Sequence, residues 1–368
     1  MRRGVFLAAL LPLVVAAAGG DSGILNEIAR ILAQHGLDPP PVEEVLQQDL
    51  PDIDHYLAKR DPYARYLDPD EYARFRSGPG GVGIGAQLSE AQGRYFLVPI
   101  PGGPAWNEGL LGRAELLSVE GRSVRGQEMA WVAQQLKGPA GSSVLMVVES
   151  PGRRLQALRV SRESFSAPSV SYLEEDGIPV LRVWDFRTRE TVAAMRRGLS
   201  RVLSYGEQPV IDLRFATGGD LYEALDCTAL FLPDSTSVAV VEGPGGHRRE
   251  LVSPSGLRTV EQPVTLLIGH GTASAAESFA LALQYHHAAK LVGEPSYGKC
   301  LTQTLASLSN GGALLFSNGR LFGPEGVACR SDGLVPDQRV SDAEAKSLGD
   351  LLGGHPIPAK SAGDSTPL

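Results

Sequence analysis

The chain has 368 residues, 43% of them apolar and 21% charged, with a formal net charge of −8. That length predicts two or three domains with a sizeable core, and the mild, dispersed acidity with no Lys/Arg block excludes a nucleic-acid-binding surface. Three cysteines form no metal-ligand spacing, so neither a metal nor another cofactor is expected.

Met1-Arg2-Arg3 followed by the apolar run Val5 to Val15 and Ala16-Ala17-Ala18 has the layout of a secretory signal peptide over residues 1–18. It predicts an exported, periplasmic protein, with a membrane association only if the segment stays uncleaved as an anchor. Residues 22–78 read as an N-terminal helical region. Ser22 is a candidate cap for a helix carrying Ile24, Leu25, Ile28, Ile31 and Leu32 on one face and ending at Gly36, and Asp68-Pro69 supplies a second helix start.

Gly78-Pro79-Gly80-Gly81 marks a linker, and from there to residue 163 the pattern changes to short β runs around one helical piece, Gln127 to Leu136. Val82-Gly83-Ile84-Gly85 opens this region. Its consecutive N–H groups can form an anion nest, or the stretch is a glycine-rich hairpin turn. Residues 164–345 read as α/β: Pro179 to Val183, Pro209 to Leu213 and Val264 to Ile268 are buried strands, with amphipathic helices after the first two. Residues 346–368, rich in Gly, Pro, Ser and Ala, read as a flexible tail. Cys227 falls in an apolar helical pattern as a small hydrophobe. Cys300 and Cys329 can pair or stay thiols.

The chemistry concentrates in Gly271-Thr272-Ala273-Ser274-Ala275-Ala276-Glu277, between the strand ending at Ile268 and a helix from Ser278 to Tyr285. Ser274 on such a turn is either a plain N-cap or a nucleophile whose oxyanion meets the free N–H groups of a helix start. Only six lysines occur in the chain, and one of them, Lys299, follows Tyr297-Gly298. A desolvated lysine can act as a base where an arginine cannot. Gln303, four residues on, can hold that amine without adding a charge. No histidine makes a better partner. His270 lacks an aspartate to orient it, and His286-His287 close a helix without the spacing of a metal site.

The segment Gly271 to Glu277 followed by Val292-Gly293 and Gly298-Lys299 with Gln303 resembles the carboxy-terminal processing peptidases, or tail-specific proteases. The resemblance runs over about residues 60–340. It implies a multidomain α/β architecture: an N-terminal helical segment, a PDZ-like β-rich domain over 79–163 and a protease core over 164–345. It further implies Ser274 as nucleophile, Lys299 as base and Gln303 as its positioning group. Gly218 and Ala275 would supply the oxyanion N–H groups, and Val82, Gly83, Ile84 and Gly85 the loop that binds a substrate's terminal carboxylate. Implied partners are protein or peptide substrates with apolar free C-termini and an adaptor protein, and the chain can be an oligomer.

Two departures stand out: Ala216-Thr217 replaces the family's Asn-Pro before Gly218-Gly219, and Arg113-Ala114 replaces its Gly-Asp. They keep open the alternative of a catalytically silent PDZ-type protein that captures C-terminal peptides.

Overall fold

The computed structural model describes residues 20–76, 82–150, 155–205, 208–341 and 348–353. The signal-peptide reading, the Gly78–Gly81 linker and most of the tail therefore fall outside the described residues. The chain divides into two compact units: Met1–Gly78, Ala239–Leu251 and Cys300–Cys329 form one, and Pro79–Val238, Val252–Lys299 and Arg330–Leu368 the other. Parts of the 164–345 region thus fall in the same unit as the N-terminal helices.

The reason lies in one long strand. Ala313–Phe322 pairs antiparallel with Arg65–Leu67, with Leu301–Ser307 and with Ser237–Glu242, collecting distant segments into a single sheet. Helix Asp21–His35 covers it, burying Ile28 and Leu32 with Leu314 and Phe316. Gly20, not Ser22, stands at this helix's N-cap, and Ser22 lies within the first turn, where its carbonyl accepts from Asn26 Nδ2. Asp68 does cap helix Pro69–Arg76: its Oδ1 accepts from the Glu71 N–H at 2.7 Å. Two carboxylates fasten the N-terminal segment to this sheet: Glu27 of the helix accepts from the N–H and hydroxyl of Ser309, in the turn before the long strand, and Asp61 from those of Ser317 on it.

Cys300 and Cys329 are joined by a disulfide across 29 residues of chain, and Cys227 is a buried thiol whose burial raises its pKa well above the usual value. Closing a loop of that length restricts the unfolded chain by about 3–4 kcal/mol. Reduction should accordingly lower the urea midpoint clearly, and equal midpoints with and without dithiothreitol would contradict it.

In the second unit, residues 86–161 form an antiparallel sheet in the order Ala86–Ala91, Arg94–Pro99, Ala114–Val119, Ser143–Glu149, Gln156–Ser161. Alternate residues (Val144, Met146, Val148) point into a core shared with helix Met129–Leu136. Arg162 closes that helix: its guanidinium donates to the carbonyls of Gln135, Leu136 and Ser143 at 2.8–3.1 Å. A cation at a helix C-terminus is favoured by the carbonyls left unpaired there. Arg113 lays its guanidinium 3.8 Å from the Phe96 ring centre.

The rest of this unit is a six-stranded sheet in the order Val170–Glu175, Ile178–Val183, Val210–Asp212, Val264–Ile268, Ala289–Gly293, Gln338–Arg339. The first pair is antiparallel and the others parallel. Helices Thr191–Leu203, Leu221–Thr228 and Ala275–Tyr285 make the crossovers. The central strands are buried along their whole length, which is why they read as continuous apolar runs. Of the expected tail, Leu348–Gly353 is described and is not loose chain: Leu348–Leu351 is a short helix, and both leucines are buried beside Leu173 and Val340.

Candidate active site

Strand Val264–Ile268 runs into the turn Gly269–Ala273, and one bond closes that turn on itself while two lock it to the segment after strand Val210–Asp212. Thr272 Oγ1 donates to Leu213 O at 2.8 Å and accepts from the Gly269 N–H, and the Ala273 N–H donates to Ala216 O at 3.0 Å. Gly271 is forced to be glycine, since a Cβ there would lie 2.4 Å from Arg214 O. The chain then enters helix Ala275–Tyr285 through Ser274, held at φ 56°, ψ −120°. Few non-glycine residues adopt that conformation, it costs on the order of 1–3 kcal/mol, and such outliers cluster at functional sites. Here it places a half-buried serine at a sharp strand-to-helix turn, the position of a nucleophile elbow.

Gly218 lies directly against this serine. A Cβ on it would sit 2.9 Å from Ser274 Cβ, 3.1 Å from Ala275 N and 2.7 Å from Ala273 O. With φ at +101° as well, the position excludes any side chain. The turn is held from the other side, where the Phe186 N–H donates to Gly218 O and the Asp220 N–H to Phe186 O, both at 2.8 Å. Ala216 and Thr217, which replace Asn-Pro, still form it: the Ala216 N–H donates to Leu213 O at 2.9 Å. Ala275 is the first residue of its helix, where N–H groups have no intrahelical acceptor.

Lys299 reaches the same region through Glu277. The carboxylate of Glu277, 3% exposed, accepts from the Ser274 N–H (2.7 Å) and the Lys299 N–H (2.9 Å) on Oε2. On Oε1 it accepts from the Gly298 N–H (2.7 Å) and the Ser296 hydroxyl (2.5 Å). Gly298 has φ +90° and packs on Ser331 O, so the Tyr297–Lys299 turn has little freedom. Lys299 itself is half-buried.

Gln303 belongs to the other unit, on strand Leu301–Ser307 beside a register irregularity after Thr302, and its amide nitrogen donates to Tyr63 O at 3.0 Å. Val82 and Gly83 pair with Ser164 and Glu163, while the carbonyls of Ile84 and Gly85 accept from the Ala105 and Ile100 N–H groups. His270 is exposed beside Tyr297, and His286 Nε2 lies 2.7 Å from Ser237 O. Among the described residues no group of three metal-ligating side chains occurs, and no helix is long and apolar enough to cross a membrane.

Beneath the Gly218 turn lies an ionic cluster. Fully buried Asp212 accepts from Arg182 Nε, Arg214 Nε, Arg214 Nη2 and the Arg214 N–H at 2.9–3.0 Å, and Arg182 also reaches Glu175 at 2.6 Å. No role for Arg182, Asp212, Arg214, Thr272, Ser296 or Glu277 is read from the sequence alone. For Glu277 a signal was available: a Glu three residues after a serine at a helix start is the spacing of a capping box.

A strained serine after a buried parallel strand, with helix-start N–H groups and a glycine turn against it, gives this α/β core the geometry of a nucleophile elbow. Residues 177–340 match peptidase family S41. The chain is 29% identical over 300 residues to a carboxyl-terminal-processing protease of Synechocystis, covering 78% of this chain and 70% of that protein. It is 26% identical over 294 residues to a probable CtpA-like serine protease of Staphylococcus haemolyticus, covering 78% of this chain and 59% of that one. This chain thus spans about three-fifths of the length of the staphylococcal relatives. Among solved structures, the photosystem II D1 C-terminal processing protease has the same fold, with a TM-score of 0.63, 23% identity, and 91% of this chain and 97% of that one covered.

Proposed function

We propose that this protein is an exported serine endopeptidase that cleaves proteins near or from their C-termini with a Ser274–Lys299 dyad. One observation carries the reading: a serine in a strained backbone conformation shares a single carboxylate oxygen, through its own N–H, with the N–H of a rare lysine. Ser274 Oγ attacks the scissile carbonyl carbon while neutral Lys299 takes its proton. The Gly218 and Ala275 N–H groups hold the oxyanion. Collapse breaks the C–N bond, the lysine returns the proton to the leaving amine, and water then hydrolyses the acyl-enzyme with Lys299 again as base. Gln303 orients the lysine amine.

The β-rich region acts in this reading as a PDZ-type reader of substrate tails. Strand Ala86–Ala91 lies at the edge of its sheet, and Val82–Gly85 leads into it, an arrangement that suits strand addition by a peptide ending in a carboxylate. The peptide's last, apolar side chain would pack beside it, and an adaptor could present substrates to the same edge.

The test is cleavage by the purified chain of an unfolded protein with an apolar C-terminus, with products identified by mass. A chain that binds the protein but never cuts it is a binding module instead. Tail reading has its own measurement: two peptides identical but for a free acid or an amide at the end. The amide should be cut about ten- to a hundredfold more slowly, the worth of a hydrogen bond to a charged group. Equal initial rates would remove tail recognition from the proposal.

A further inference from the structure

We propose that Glu277 is a positioning residue that sets the nucleophile turn and the base turn in register with each other. This rests on reading Ser274 and Lys299 as nucleophile and base. A capping glutamate needs only the N–H at its own helix start, and here that is the Ser274 N–H. The other three donors, Ser296 Oγ, Gly298 N–H and Lys299 N–H, come from a loop 19–22 residues further along the chain.

Oε2 is the decisive atom, because it binds Ser274 N–H and Lys299 N–H together. Each of the two turns is therefore placed one hydrogen bond from the same atom. Oε1 braces the lysine side of the clamp. It takes the Gly298 N–H and the Ser296 hydroxyl, and Ser296 Oγ accepts in turn from the Leu334 N–H at 2.7 Å. A buried carboxylate with four donors has its lone pairs occupied, so it has little reason to reorient. A displacement of about 1 Å in a reacting group can cost about a hundredfold in rate, which is the error such a clamp prevents.

The experiment compares Glu277→Ala and Glu277→Gln with the wild-type chain by amide hydrogen exchange and by steady-state kinetics. Glu277→Ala should speed exchange at the Ser274, Gly298 and Lys299 amides while Leu266 and Leu291, in the sheet strands, keep their protection. Its kcat should fall about a hundredfold with KM nearly unchanged, the signature of lost alignment rather than lost binding.

Glu277→Gln should be milder, about tenfold in kcat. Its amide oxygen can stay on Ser274 and Lys299 while its NH2 group donates to Ser296 Oγ, whose own proton must then turn away, and of the backbone amides at the clamp only the Gly298 N–H is left without an acceptor. In that variant Gly298 alone should lose protection, which keeps the clamp testable if the alanine variant does not fold. Unchanged exchange at Ser274 and Lys299 in Glu277→Ala, or at Gly298 in Glu277→Gln, overturns the clamp. A wild-type chain that cleaves nothing overturns the proposed function, and the exchange measurements still decide the clamp.

Discussion

Ser274→Ala should lower turnover of an unfolded protein substrate by about 10⁴-fold or more, as removal of a serine nucleophile does elsewhere. The fold should be unaffected, because the Ser274 turn is held through its backbone: the Ser274 N–H donates to Glu277 Oε2, the Glu277 N–H to Ser274 O, and the Ala273 N–H to Ala216 O. Alanine keeps the positive φ strain, whereas glycine would relieve it, so Ser274→Gly should be equally inactive yet somewhat more stable. Lys299→Arg should be nearly as inactive as Ser274→Ala, since a guanidinium stays protonated and cannot take the seryl proton. The readout is initial rate against thermal midpoint for the same preparations. Wild-type turnover in Ser274→Ala would end the mechanism, and wild-type turnover in Lys299→Arg would send the search for a base elsewhere.

Asp212→Ala should be the most destabilising single change among the residues considered, by about 3–5 kcal/mol. It leaves two guanidiniums, Arg182 and Arg214, buried without the carboxylate they share. Burial alone would raise the Asp212 pKa, but the Arg214 and Arg182 charges and the bonds from Arg214 outweigh it and hold the carboxyl well below the usual carboxylate range. A depressed folded-state pKa contributes stability that is fully present above the unfolded value of about 3.9 and is lost as pH falls below it toward the folded value. Urea midpoints of the wild-type chain should therefore drop steeply below about pH 4. Asp212→Asn should start lower and show a shallower acid limb. Identical acid limbs would mean the cluster does not set acid stability. The change should also slow catalysis, because beside the cluster Leu213 O accepts from Thr272 of the Ser274 turn and Arg214 O packs closely against Gly271.

Much of the local structure was legible in the chain alone. Val264–Ile268 reads as a buried strand because a parallel strand covered on both faces is apolar at every position. Asp68-Pro69 reads as a helix start because cap and first-turn preferences are set by the backbone groups of the same few residues. Ser274 at a strand-to-helix turn and the scarcity of lysine around Lys299 were equally visible, since both depend on neighbours in sequence. What the chain could not disclose was set by contacts between distant segments. Strand Ala313–Phe322 gathers residues 65–67, 237–242 and 301–307 into one sheet, and strand pairing of that range has no local periodicity to betray it. Cys300 and Cys329 each fit a thiol or a disulfide until the fold brings them together. Glu277 is the sharpest case: its spacing from Ser274 announces a helix cap, a local device. Only the tertiary structure shows the same carboxylate also binding Ser296, Gly298 and Lys299, because a side chain's remaining lone pairs are filled by whatever segment folding delivers to them.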